Sequence, residues 1–338
     1  MTYSTGSIVL AADFNGFVGP TSAGGTAGAN LNDIWSTGSG DKGWGQTAIA
    51  NPAATNTITA ANQWTSLVNN LATAGTQTGT AMTSRTAPTA GNLITTLSAL
   101  NTDLTNATTN RGNAIVSGTE YGTFTGTTSK TTGTGSGTGA WTITFTHTLT
   151  FASADALRYF FNAGGIVRLK YGKSSTGTDV DPDWNTLAGW CGQINLTGRV
   201  NSTNQLISGT TYSGTTRVGG TGGTQTTLAT TTGWYNLTGT PATIFQLTNT
   251  GSYTGEYIRT TATATSTTVL TLVTTWVSDG SGGGPGTSAN ISGGTATASP
   301  STTITGTAPT TLVTYIPPST TYLTTASWGT PTIAATVV

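Results

Sequence analysis

The sequence predicts a mainly β protein: a β-sandwich-like body with short inserted helices, plus a small helical and irregular N-terminal part. Three observations predict it. The run WTITFTHTLTF (141–151) alternates apolar and threonine positions without a break, the period of a strand with one buried face. His147 is the one polar residue on its apolar side. Comparable alternation recurs at 242–248, 256–265 and 267–277. Composition agrees: Thr supplies 85 of 338 residues and Gly 47, while 7% of side chains are charged. Threonine is β-branched and uncharged, so it suits the exposed side of a pleated sheet.

Taken in order, residues 1–57 read as mostly irregular, with SIVL (7–10) as a short strand. Trp35 and Trp44 sit among Gly and polar residues and are expected to anchor loops against a small core. Over 60–74 the apolar residues Trp64, Leu67, Val68 and Leu71 recur at i, i+3, i+4 and i+7, which predicts a helix. Thr59 suits its N-cap and Gly75 its C′ position. A second helix is predicted over about 91–107, with Leu93, Ile94, Leu97, Leu100 and Leu104 on one stripe. The two form a helical hairpin or part of an oligomer bundle. Residues 119–140, rich in Gly, Ser and Thr, read as a linker or a long hairpin turn.

After the strand at 141–151, Ser153 caps a helix over 154–162 that Gly164 and Gly165 end. IVRLKY (166–171) is a strand with Arg168 and Lys170 outward. Pro182, following Asp181, opens a helix predicted over 183–193 with Trp184, Leu187 and Trp190 apolar. From about 195 the chain is strand and turn, including 302–307 and 311–316, with a Gly-rich loop at 278–290. Pro317 and Pro318 break the next strand. The Thr-Gly runs have no fixed period, so no solenoid is predicted. The pattern divides the chain into 1–118 and 119–338, the latter with a further subdivision near 195.

Charge removes several functions. Eleven basic and eleven acidic residues give a formal net charge of zero. A phosphate-tracking nucleic-acid binder is therefore not expected. Nine Trp, ten Tyr and eight Phe argue against disorder. No run of about 18 apolar residues exists, so no membrane insertion is expected. The N-terminal segment lacks the basic and apolar regions of a signal peptide. Cys191 stands alone, so no disulfide can form within the chain.

Candidate chemistry is sparse. Asp179, Asp181 and Asp183 form a D-x-D-x-D run, the opening of a calcium loop. The remainder departs from that loop: Trp184 stands at the sixth position and Trp190 at the twelfth. The competing reading is an acidic helix N-terminus, where Asp181 and Asp183 favour the positive end of the helix dipole. Glycoside hydrolysis needs two carboxyl groups, one with a raised pKa. The two glutamates, Glu120 and Glu256, show no pairing in the sequence. His147 lies on an apolar strand face and reads as a core or interface residue, and Cys191 as a buried thiol. One Cys and one His cannot complete a zinc site. Gly133, Gly135, Gly137 and Gly139 lack the Lys-Ser/Thr and the helix that a phosphate loop needs. No enzyme activity and no cofactor are expected. Trp234, Tyr235 and Tyr253, in loop-like stretches, are candidates for stacking on sugar faces.

The segments TFASADALRYFFNAGGIVRLKY (150–171), GWYNLTGTPATIFQLTNTGSYTGEYIRTTATA (233–264) and NDIWSTGSGDKGWGQTAI (32–49) carry a resemblance. They resemble a module of virion structural proteins of tailed bacteriophages, notably cyanophages, with RYFFNAGG its most specific part. The resemblance implies a structural component of the virion tail, most readily a tail fibre or baseplate appendage protein acting in assembly and host attachment. Alternatives are a carbohydrate-binding receptor module on the particle, or a capsid decoration protein. Its expected partners are other virion proteins, further copies of itself as a homotrimer, and a host surface glycan. In such appendages residues 1–118 would be the attachment end.

Overall fold

The computed structural model describes residues 11–51, 60–90, 99–122, 128–130, 132–134, 140–174, 181–198, 205–251, 254–279, 291–292, 301–304 and 308–338. The expected strand at 7–10 and most of the N-terminal half of the predicted helix over 91–107 lie outside them. Six α-helices occur among the described residues: α1 (Ala11–Val18), α2 (Leu31–Trp35), α3 (Ala61–Thr78), α4 (Leu100–Thr109), α5 (Ala154–Asn162) and α6 (Asp181–Cys191). The strands are β1 (Thr132–Thr134), β2 (Ala140–Thr150), β3 (Ile166–Gly172), β4 (Gln193–Leu196), β5 (Gln205–Ile207), β6 (Thr210–Tyr212), β7 (Thr215–Val218), β8 (Thr224–Leu228), β9 (Ala242–Thr248), β10 (Tyr257–Ser266), β11 (Val269–Asp279), β12 (Ile291–Ser292), β13 (Ser301–Ile304), β14 (Thr310–Ile316) and β15 (Thr332–Val337).

β2 organises the body. Its alternation buries Trp141, Ile143, Phe145, His147 and Leu149, and leaves Thr142, Thr144, Thr146 and Thr148 half-buried on the other side. It lies within a nine-stranded antiparallel sheet of order β12-β13-β1-β2-β11-β10-β9-β8. β15 shares the edge of β2 with β1: it pairs from Phe145 to Thr150, and β1 pairs at Thr142. A four-stranded sheet of order β14-β3-β4-β7 packs on the inner face of the large one. Aromatic contacts join the layers: Tyr171 of β3 stacks on Phe245 of β9 (5.9 Å) and meets Trp276 of β11 edge-on (6.4 Å). The mainly β, sandwich-like architecture with short helices is the one the alternation predicts.

Hydroxyl groups inside this interface are paired, as burial requires. Tyr171 Oη lies 2.8 Å from Thr260 Oγ1, which lies 2.8 Å from Thr274 Oγ1. The Trp276 indole donates to Thr311 Oγ1 of β14 at 2.9 Å. His147 bonds to the Thr311 backbone, and its burial lowers its pKa to about 4. It is thus a neutral core histidine. Cys191 is buried, and burial pushes its thiol well above the usual range.

The boundaries of α3 and α6 differ from expectation. α3 begins after Ala60, whose N–H is accepted by Gln63 Oε1 at 2.9 Å. It continues through Gly75 to Thr78 and closes at Gly79, with φ 63°. A Cβ on Gly75 would stand 2.4 Å from Met82 Cγ, so this glycine admits the returning chain and does not end the helix. α6 spans 181–191 instead of 183–193, because Gly192 at φ 62° turns the chain and Gln193 already pairs in β4. α5 behaves as expected: Ser153 Oγ accepts from the Ala156 N–H at 3.0 Å.

The stretch expected as linker is bonded to the body where it is described. Tyr121 bridges Tyr315, and Ser129 bridges Thr310, so this strip covers the free edge of β14. Likewise every strand among the described residues follows residue 118, but packing crosses it. Trp44 Nε1 donates to Asn162 O of α5 (3.2 Å), Arg158 reaches Thr37 O (2.7 Å), and Gln46 Nε2 donates to Thr325 O (2.7 Å). One buried cluster runs from Phe14 to Ile333.

Candidate functional site

The sugar-stacking candidates separate. Trp234 lies parallel to Phe161 at 5.4 Å, and Tyr235 packs edge-on against Trp234 at 4.5 Å. The Tyr235 hydroxyl donates to Gly40 O (2.9 Å) and bonds Asn162 Oδ1. Both residues are half-buried, and Tyr235 ties the N-terminal strip to α5. Tyr253 lies outside the described residues, as does Asp179.

Asp181 opens α6 and Asp183 lies in its first turn. Among the described residues no three His, Cys, Asp or Glu side chains converge to hold a metal ion.

The glutamates have opposite environments. Glu120 accepts from Arg168 Nη1 (3.1 Å), Lys170 Nζ (2.9 Å) and Thr314 Oγ1. Burial raises its pKa, but those bonds and the two cations outweigh it and hold the carboxyl below the usual range. Glu256 is 4% exposed. Burial pushes its pKa up to about 8; bonds from Asn249 and Trp184 oppose the rise, and Asp183 and Asp279 add to it. The Asp279 carboxylate approaches so closely that a Cβ on Gly255 would lie 1.7 Å from its oxygen. The fold therefore brings an acid of raised pKa near two further carboxylates, a grouping the sequence does not reveal. Glu256 is nonetheless sealed beneath Asn249 and Trp184.

One open feature is a recess of about 360 Å³ between the Tyr121 strip, the end of β14 and the 317–330 segment. Tyr121, Tyr315, Trp328, Pro317 and Pro318 form its apolar wall, with Ser117, Thr320 and Thr330 around them. Tyr121 is 47% exposed, whereas Tyr315 and Trp328 are buried apart from their margins. The two tyrosine rings stack at 5.9 Å and 25°. Backbone bonds of 2.8 Å in both directions join the same two residues, and Ser117 N–H donates to Pro317 O at 3.0 Å. Behind Tyr315 stands Phe160, edge-on at 6.2 Å.

Among the described residues the recess carries no acid, base or cation, because strand alternation turns Glu120 away toward Arg168 and Lys170. Burial, with Tyr121 beside it, raises the pKa of the Tyr315 phenol, so it stays a neutral hydrogen-bonding group. Apolar wall, uncharged polar rim and rigid backing are the features of a surface fitted to bind a ligand. Sequence reasoning missed it because its residues come from strips far apart in the chain. The one local hint is Tyr121, an aromatic isolated among Glu, Gly and Thr.

No protein-family model, no curated protein and no solved structure matches the chain.

Proposed function

We propose that the chain is a structural component of a tailed-phage virion, of the tail-fibre or baseplate class, that assembles with further copies of itself and has no catalytic role. The observation that carries this reading is the outer face of the large sheet. Its rows, read across the strands, are Thr142–Val277–Tyr257, Thr144–Thr275–Arg259, Thr336–Thr146–Val273–Thr261, Ala334–Thr148–Thr271–Thr263 and Thr332–Thr150–Val269. Arg259 is the only formal charge in these rows.

Strand spacing near 4.8 Å and a rise near 3.3 Å per residue make a face of four strands and about ten residues cover roughly 600 Å². That lies at the lower end of what one partner contributes to a standard stable interface. Burying threonine costs far less than burying lysine or glutamate, so the face can pack against another protein without stranding charge. Such contacts are also insensitive to salt, which suits a particle exposed to changing media. The resemblance of residues 32–49, 150–171 and 233–264 to virion proteins supplies the assembly in which this packing belongs.

Sedimentation velocity tests the packing: the wild type should run as a trimer and a Thr146→Lys/Val273→Lys variant as a monomer. A wild-type monomer at micromolar concentration would refute it. Mass spectrometry of purified tailed particles from cells expressing the chain tests the virion assignment, which fails if the chain is absent from them.

A further inference from the structure

We propose that the Tyr121–Tyr315–Trp328 recess binds an uncharged pyranose sugar, with the exposed ring of Tyr121 as the stacking platform. The platform is fixed before any ligand arrives. Its backbone is tied to Tyr315 by two bonds of 2.8 Å, and its ring rests on the Tyr315 ring at 5.9 Å. Tyr315 in turn abuts Phe160 of the core. A ring held in this way loses little conformational freedom on binding, so more of the contact energy appears as affinity.

The hydroxyls of Tyr121, Tyr315, Thr320 and Thr330, and the indole N–H of Trp328, make no hydrogen bond among the described residues. This contrasts with the sandwich interior, where the hydroxyls of Tyr171, Thr260 and Thr274 are paired. A sugar offers the matching combination: an apolar C–H face for the ring and alternating hydroxyl donors and acceptors around it.

Two features narrow the class. Among the described residues no cation lines the recess, so a uronic acid, sialic acid or phosphate would lose hydration without a counter-charge. A volume of about 360 Å³ lies at the small end of ligand sites, the size of a mono- or disaccharide end. The role of this site in host attachment rests on the virion reading above; the binding itself does not.

The test uses the full chain with maltotetraose, cellotetraose and a rhamnose trisaccharide as neutral probes, sialyllactose as the acidic probe, and a Pro-rich decapeptide. Binding is read by saturation-transfer NMR and by quenching of Tyr and Trp fluorescence. At least one neutral probe should bind. Tyr121→Ala should weaken it tenfold or more with an unchanged melting temperature, because Tyr121 is half in solvent. Tyr121→Phe, which keeps the ring, should stay within about threefold. The proposal is overturned if no neutral probe binds, if Tyr121→Ala binds as well as wild type, or if only sialyllactose or the peptide engages the recess. Sugar binding by a chain absent from particles would refute the virion reading and leave this site standing. The converse result would do the reverse.

Discussion

Replacing Glu256 with glutamine should make the protein more stable in mild alkali and remove its alkaline instability. Burial pushes the Glu256 pKa up to about 8 in the folded chain, from the ordinary 4.5 of an exposed glutamate in the unfolded one. An acid whose pKa is raised by folding contributes stability that is complete below the unfolded value and lost as pH rises to the folded one. Each unit is worth about 1.4 kcal/mol. His147 acts oppositely. Its pKa falls from 6.5 to about 4, so its contribution is complete above 6.5 and is lost as pH falls toward 4.

Between about 4.5 and 6.5 the two slopes cancel, and stability should be flat. From 6.5 to 8 only Glu256 acts, and stability should fall by about 2 kcal/mol. The acidic neighbours Asp183 and Asp279, and the partners Asn249 and Trp184, all belong to this balance, since each bears on the Glu256 carboxyl. Urea unfolding at pH 5.5, 6.5, 7.5 and 8.5 measures the curve for wild type and Glu256→Gln. Glutamine keeps the shape and the Asn249 contact but cannot ionise. It should abolish the fall above pH 6.5. A wild-type midpoint that does not change between pH 6.5 and 8.5, or a Glu256→Gln midpoint that falls as steeply as wild type, would refute the reasoning.

Trp276→Ala empties the junction between Tyr171, Trp184 and Thr311 and should cost about 3–5 kcal/mol, measured by urea midpoint; a loss below 1 kcal/mol would contradict the packing. Asp103→Ala strands the Arg85 guanidinium, whose ion pair of 2.6 Å has both side chains at most 6% exposed, and should cost about 3–5 kcal/mol by the same assay. A near-neutral effect would mean that Arg85 reaches water. Deleting residues 1–118 uncovers α5 where Trp44 and the 37–43 strip cover it, so the fragment 119–338 should aggregate or bind a hydrophobic dye. A soluble, cooperatively melting fragment would show that the body is independent of its N-terminal strip.

Periodicity alone determined the parts of this fold that depend on neighbours in the chain. The alternation of 141–151 sets which side of β2 is buried, because successive side chains point to opposite faces whatever the partner strand. The Ser153 cap and the stripe of α5 are equally local. The reading of His147 as a core or interface residue follows from the same alternation. Tertiary structure decided the rest, wherever the reason for a residue lies far off in sequence. Gly75 looks like a helix stop, yet it is a space for Met82. Trp234 and Tyr235 look like surface aromatics, yet Phe161 and Asn162 receive them. Glu256 shows no acidic partner in the sequence, yet the folding of β10 against β11 and α6 brings Asp279 and Asp183 to it. Tyr121 becomes a platform only because Tyr315 is bridged to it. Local sequence fixes the direction in which a side chain points from its own backbone. What it meets there depends on which distant segments the core draws together, and that follows from packing the whole chain.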